Sequence, residues 1–84
     1  MKKYLGFYWT YDYHNWFIND SLEEAKKRCL FGMMIFEVDN SRVDDAIAHL
    51  AEVKSNRLTI AKLKEWSCPI VCQHGEPPNW FVTK

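Results

Sequence analysis

Residues 3–13 read KYLGFYWTYDY, and this aromatic stretch decides the fold that the sequence predicts. Tyr, Phe, Trp and Thr favour extended backbone, because rings and branched side chains pack well on a pleated surface. Side chains alternate along a strand, so one face of this strand carries Leu5, Phe7, Trp9, Tyr11 and Tyr13. The opposite face carries Tyr4, Gly6, Tyr8, Thr10 and Asp12. One face must pack against a hydrophobic core, and the aromatic side chains of the other face then need a separate role.

The length of the chain limits it to a single domain, residues 1–84, because so few residues cannot build two separate cores. A domain of this size buries only roughly 60–65% of its unfolded surface, so each large buried side chain contributes appreciably to the stability of the fold. The four Trp, four Tyr and five Phe therefore supply much of the core. Each aromatic ring contributes about 150–250 Å² of buried surface.

The charge and the cysteine content limit the cellular compartment and the classes of partner that we expect. Eleven basic and eleven acidic residues cancel, which argues against a polyanion such as bulk nucleic acid as the main partner. Three cysteines are an odd number, and Lys2 and Lys3 are not followed by the uninterrupted apolar run of a signal peptide. We therefore expect free thiols in a cytoplasmic protein that does not enter a membrane.

A helix and then a strand are predicted after the aromatic stretch. Ser21 and Glu24 have the spacing of a capping box, and the helix that they open is expected to run to about Phe31. Gly32 is predicted to be the left-handed residue that ends this helix. Residues 33–39 are almost continuously apolar, which indicates a central strand.

The next part of the chain predicts two further helices. Ser41 is expected to open a helix over about residues 42–54, whose apolar side chains recur at helical spacing. Residues 57–66 fit either a helix or a strand. Their Ala, Lys, Leu and Glu content favours a third helix, which Asn56 could cap.

Short strands complete the predicted fold. Residues 70–74 and 79–83 are close enough to pair as a hairpin, and residues 16–18 form a short apolar return. A helix between the first two long strands fits a crossover connection. The predicted fold class is therefore α+β: a small two-layer domain with a mixed, mostly antiparallel sheet and two to three helices on one face.

The sequence contains no motif for catalysis or cofactor binding. Cys68, Cys72 and His74 are zinc-ligand residue types, and a strand would place all three on one face. Because a strand rises about 3.3 Å per residue, Cys68 and Cys72 would be too far apart to share an ion. Cys29 lies on the predicted buried stripe of its helix, which suits packing better than reactivity. We predict no catalytic residues, no metal and no cofactor.

Aromatic side chains that the core does not use favour protein binding, because Trp and Tyr are enriched in interface hot spots. An aromatic strand at the edge of the sheet would also pair with a second chain, such as the other half of a homodimer. We predict a small non-enzymatic protein-interaction module, of the kind found among phage and mobile-element accessory proteins and inhibitors. The predicted contact residues are Tyr4, Tyr8, Trp9, Tyr11, Tyr13 and Trp16.

Binding of single-stranded nucleic acid is the alternative function, because aromatic side chains on a sheet face can stack bases. The phosphate backbone would need cations, and residues 54–64 contain four basic and no acidic side chains. The candidate contacts in the predicted third helix are Arg57, Lys62 and Lys64. No consensus of an RNA-binding sheet is present, so a protein is the predicted partner ahead of nucleic acid.

Overall fold

The computed structural model describes residues 2–9 and 16–77. Its strands are β1 (Lys2–Tyr8), β2 (Trp16–Asn19), β3 (Met33–Asp39) and β4 (Ile70–His74). Its helices are α1 (Leu22–Lys27), α2 (Asn40–Val53) and α3 (Asn56–Glu65). This arrangement confirms the predicted α+β class, the central strand at 33–39 and the third helix.

The four strands form one sheet in the order β2-β1-β3-β4, and each neighbouring pair is antiparallel. The predicted crossover does exist, but α1 makes it between β2 and β3, which run in the same direction on either side of β1. The described sheet is therefore antiparallel throughout. Residues 4–7 of β1 have partners in both β2 and β3, so this part of the strand has no free edge for a second copy of the chain.

Helices α2 and α3 cover one face of the sheet. The aromatic side chains of β1 on this face point inward, and Phe7 is fully buried against Phe36 of β3 with their ring centroids 6.4 Å apart. The core on this side consists of Leu5, Phe7, Trp9, Met34, Phe36, Val38, Val43, Ala46, Leu50, Ile60 and Leu63. The alternation predicted for the aromatic strand is confirmed for its described residues.

Helix α1 lies on the opposite face, where it covers a smaller core. Ala25 of α1 packs there with Phe17 of β2 and with Met33 and Ile35 of β3. The prediction of two to three helices on one face is therefore met by α2 and α3, and α1 lies on the other face. The physical reason is that β3 is apolar on both faces, so that each face has to be covered.

Local hydrogen bonds explain where α1 begins and ends. The Ser21 hydroxyl accepts from the backbone N–H of Glu24 at 3.3 Å, which confirms this N-cap. The helix ends at Lys27 rather than at about Phe31. Gly32 has a φ of 92°, as a left-handed residue should, but it lies in the turn that leads into β3 and does not cap the helix.

The two later helices follow each other closely. Asp39, rather than Ser41, caps α2, which ends where Lys54 adopts a left-handed φ of 51°. Ser55 then caps α3 by accepting from the backbone N–H of Leu58 at 3.2 Å. Asn56, the predicted cap, is buried in the first turn instead. The predicted continuation of the aromatic strand to Tyr13 and the strand at 79–83 lie outside the described residues.

Replacing Gly6 with Ala should destabilise the domain, because the added Cβ would clash with Cε2 of the Phe17 ring. Gly6 and Phe17 are directly opposed across β1 and β2, and the ring lies over the glycine. We expect urea denaturation to show a loss of about 1–3 kcal/mol in unfolding free energy, as in other overpacked sites.

In a Phe17→Leu background, the Gly6→Ala change should cost less, because the clashing ring atoms are gone. An equal loss in both backgrounds would contradict this packing.

The carboxylate of Asp39 should contribute stability that depends on pH. Its hydrogen bonds with the Ser41 hydroxyl and, more weakly, with the Ser41 backbone N–H hold the pKa of Asp39 below its ordinary value. A carboxyl group with a lowered folded pKa stabilises the fold above its unfolded pKa, and this stabilisation is lost as the pH falls through the folded pKa. Asp39→Asn should therefore be less stable than the wild type at neutral pH, and the deficit should shrink in acid.

Urea denaturation of both proteins at neutral and acidic pH measures this deficit. Asp45→Asn is the matched control, because it removes the same charge from an exposed position further along α2. A deficit of Asp39→Asn that is the same at both pH values would count against the capping role.

Candidate functional site

A groove lies on the α1 side of the molecule, between the end of α1 and the ends of β1 and β2. Its volume is about 370 Å³. The residues that line it are Tyr8, Trp16, Phe17, Arg28, Leu30 and Met33. Aromatic and Arg side chains thus dominate the lining, and these residue types carry much of the binding energy in protein interfaces.

The sheet holds the aromatic part of the groove in place. Phe17 is buried over Gly6, which has no Cβ to displace the ring. The half-buried Trp16 stacks on Phe7 of the main core, with ring centroids 6.5 Å apart and planes inclined by 20°. Because Phe7 is itself fully buried, the position of Trp16 is tied to the rigid centre of the domain.

Arg28 supplies the positive charge of the groove. Its backbone N–H caps α1 by donating to the carbonyl oxygen of Ala25 at 3.0 Å. Its guanidinium carbon lies 4.4 Å from the centroid of the Phe17 ring, in a cation–π contact. Among the described residues, no carboxylate forms an ion pair with Arg28, whereas nearby Lys27 pairs with Glu24 at 3.3 Å.

Two consecutive apolar side chains form an exposed rim beside the groove. Leu30 is 57% exposed and Phe31 is 72% exposed. The Phe31 ring rests against the His74 ring, with centroids 5.6 Å apart, and against Gly75. The backbone behind the rim is fixed, because the N–H of Gly32 donates to His74 at 2.9 Å and its carbonyl oxygen accepts from Trp9 at 3.0 Å.

Two of the predicted contact residues, Tyr8 and Trp16, line the groove. Tyr4 is half-buried and packs against the core beneath α1. Trp9 is only 5% exposed and belongs to the core beneath α2 and α3, so it presents no surface to a partner. Tyr11 and Tyr13 lie outside the described residues.

Sequence reasoning missed the other groove residues, which are Phe17, Arg28, Leu30 and Met33. The helix was predicted to continue through Arg28 and Leu30, so an exposed loop was not expected at these residues. A usable signal was the order of the residues: a basic run, then Cys29, then two large apolar side chains and a glycine.

The basic side chains proposed for nucleic-acid binding lie on α3, over the opposite face of the sheet. Lys62 is engaged with Glu65 at 3.0 Å, while Arg57 and Lys64 are half-buried. Helix α3 covers the β1 face that carries Phe7 and Trp9, so the described aromatic side chains of that face are not open to bases.

The cysteines divide between the two sides of the sheet. Cys68 packs against the core of α2 and α3, whereas Cys72 packs against the core of α1. The expectation that Cys68, Cys72 and His74 share one face is therefore wrong, because β4 begins only at Ile70 and its pairing with β3 is irregular next to that residue. Within residues 2–9 and 16–77, no three His, Cys, Asp or Glu side chains could hold a metal ion together.

Burial keeps Cys29 protonated. Desolvation, followed by contact with the Cys72 thiol, raises the pKa of Cys29 to about 12. Burial also raises the pKa of Cys68, against the opposing effect of Arg42 and Lys2. Because the thiolate is the nucleophilic form, neither environment activates a cysteine for catalysis.

A second depression, of about 290 Å³, lies near the start of α2 and differs in character from the groove. Its charges have partners: Lys2 pairs with Glu37 at 3.4 Å, and the guanidinium of Arg42 lies 4.7 Å from the Trp66 ring centroid. The groove beside α1 is therefore the better candidate for a binding site.

Comparisons with known proteins identify no relative. No protein family, no curated protein and no solved structure matches the chain. Of the described helices, none has the length and apolar character needed to cross a membrane.

Alkylation should reveal the protonated state of Cys29. A pKa of about 12 in place of 9.0 lowers its thiolate fraction near neutral pH by about a thousandfold. We therefore expect iodoacetamide to modify Cys29 far more slowly in the folded protein than in urea, and faster as the pH rises. Timed alkylation with peptide mass mapping measures both rates, and equal rates for folded and unfolded protein would refute the prediction.

Proposed function

We propose that this chain is a small protein-interaction module that acts without chemistry of its own. Its binding surface is the groove beside α1, and its partner is a protein segment that carries an apolar side chain next to a carboxylate. The observation that carries the proposal is the Arg28 guanidinium, which lies over the Phe17 ring without a carboxylate partner among the described residues.

The apolar half of the proposed ligand follows from the groove lining and its rim. Tyr8 and Phe17 line the groove from the α1 side of the sheet, and Leu30 and Phe31 add exposed apolar surface on a fixed backbone. Removing this surface from water contributes roughly 25 cal/mol per Å² of apolar area. Because the sheet already positions these groups, little ordering is needed when a partner binds.

The acidic half of the ligand follows from charge. Lys26 and Arg28 are exposed at the end of α1, and neither forms an ion pair with another described residue. A carboxylate can accept two parallel hydrogen bonds from a guanidinium, which fixes its orientation as well as adding energy. Since the chain as a whole is neutral, this local positive charge suits a single acidic group better than a polyanion.

The groove replaces the strand edge as the proposed contact. Tyr8 and Trp16 remain in the proposed surface from the sequence-based prediction, and Arg28 and Leu30 join them. An accessory or inhibitory protein needs only such a surface, because it can act by covering the surface of its partner. Self-association through the same groove is an outcome that the experiment distinguishes.

Selection from a random peptide library on the immobilised protein tests the proposal. Enriched peptides should combine a large apolar residue with a neighbouring Asp or Glu. Arg28→Glu should abolish binding of these peptides and should favour variants in which Lys replaces the acidic residue. Arg57→Glu is the matched control, because it reverses the same charge on α3, over the other face of the sheet.

Binding of the selected peptides to the Arg28→Glu variant decides whether Arg28 recognises the acidic residue. Peptides without acidic residues, or acidic peptides that bind Arg28→Glu as well as the wild type, would refute the role of Arg28. Light scattering on the free protein should give a monomer. A dimer that Arg28→Glu dissociates would show instead that a second copy of the chain fills the groove.

A further inference from the structure

Cys29 and Cys72 bring two thiols together on the α1 side of the sheet. Cys29 follows α1 in the loop that leads to β3, and Cys72 lies on the outer strand β4. Both are half-buried and pack against the same small core. We infer that they form an oxidisable dithiol, which a peroxide converts into an intramolecular disulfide.

The pairing of β3 with β4 explains why the two thiols meet. Cys72 is opposite Ile35, and His74 is opposite Met33. Ile35 and Met33 belong to the core beneath α1, so Cys72 is next to that core. The Cys29 sulfur reaches the same place from the loop, where it lies 3.8 Å from the carbonyl oxygen of Met33. The neighbouring Cys72 thiol contributes, after desolvation, to the raised pKa of Cys29.

The backbone near both thiols is anchored, which holds the sulfurs close. The N–H of Cys29 donates to the carbonyl oxygen of Lys26 at 3.1 Å. The N–H of Gly32 donates to the carbonyl oxygen of His74 at 2.9 Å, which ties the loop to β4. In a disulfide the two sulfurs lie roughly 2.05 Å apart, so they must approach each other to form the bond. Residues 28–32 lie in neither helix nor strand and can provide that movement.

The reaction balances with hydrogen peroxide as the oxidant. The Cys72 thiol releases its proton, and the thiolate attacks one peroxide oxygen. The O–O bond breaks, the leaving hydroxide takes up the released proton, and the products are a sulfenic acid on Cys72 and one water. The Cys29 sulfur then attacks the Cys72 sulfur, the S–O bond breaks, and the Cys29 proton leaves with the hydroxide as a second water. Two thiols lose two electrons, which reduce the peroxide to two waters.

Cys68 serves as an internal control for this inference. It packs against the core on the other face of the sheet, so the sheet itself separates it from Cys29 and Cys72. Oxidation should therefore leave Cys68 as a free thiol. The inference is independent of the proposed binding function, because it concerns only the chemistry of the two cysteines.

The experiment treats the full folded chain with stoichiometric hydrogen peroxide and maps its peptides by mass spectrometry. We expect monomeric protein in which the Cys29 and Cys72 peptides are joined and Cys68 still reacts with iodoacetamide. A thiol reductant should restore all three free thiols. The urea midpoint of the oxidised form should rise, because the cross-link restricts the unfolded chain.

Two variants test which cysteines take part in the disulfide. Cys68→Ser should form the same internal bond, whereas Cys72→Ser should form none. Mapping of the wild type does not depend on whether these variants fold. A bond that includes Cys68, a bond only between chains, or higher oxidation of Cys72 without an internal bond would each overturn the inference.

Discussion

The antiparallel pairing of β1 with β3 is the interaction on which the rest of the structure depends. It joins seven residue pairs, from Lys2 with Asp39 to Tyr8 with Met33. These two strands form the centre of the sheet, and both are apolar on the face that α2 and α3 cover. The pairing therefore determines where the large side chains of the aromatic stretch lie. Phe7 and Trp9 are in the core, and they stabilise the domain instead of a complex.

The same pairing shapes the other side of the molecule. Because β3 is apolar on both faces, a second and smaller core forms there, and the short helix α1 covers only part of the sheet. The uncovered part is the groove at the end of α1, bordered by Trp16, Arg28 and Leu30. The β1 face that carries Phe7 and Trp9 is buried in the core, so the proposed binding surface lies on the opposite face of the sheet. Cys29 and Cys72 lie on this same side, where β4 meets the loop after α1.

Much of the fold could be predicted from local sequence signals. The side-chain oxygen of Ser21, the nearly continuous apolar run of residues 33–39 and the helix-forming composition of residues 57–66 each act over a few residues, and each prediction was right. The alternation of the aromatic strand also gave the correct inner face through Trp9. These features can be predicted because burial and capping produce recognisable patterns in residues that are adjacent in the sequence.

The position of β1 and the identity of the site could not be predicted in this way. Whether a strand is central or at an edge depends on partners that are distant in the chain, such as the pairing of Gly6 with both Phe17 and Ile35. Helix α1 stops early because the hydrogen bonds of Gly32 with Trp9 and His74 bind the loop to the sheet. That tertiary constraint outweighs the helical pattern of the residues before it and exposes Leu30.

Amide hydrogen exchange along β1, followed by NMR, tests the central position of this strand most directly. A strand with partners on both sides protects successive amides, whereas an edge strand protects only every second one, because alternate N–H groups point to opposite sides. The structure predicts slow exchange at each amide from Tyr4 to Phe7, with no alternation. Alternating fast and slow exchange over these residues would place β1 at an edge and contradict the account.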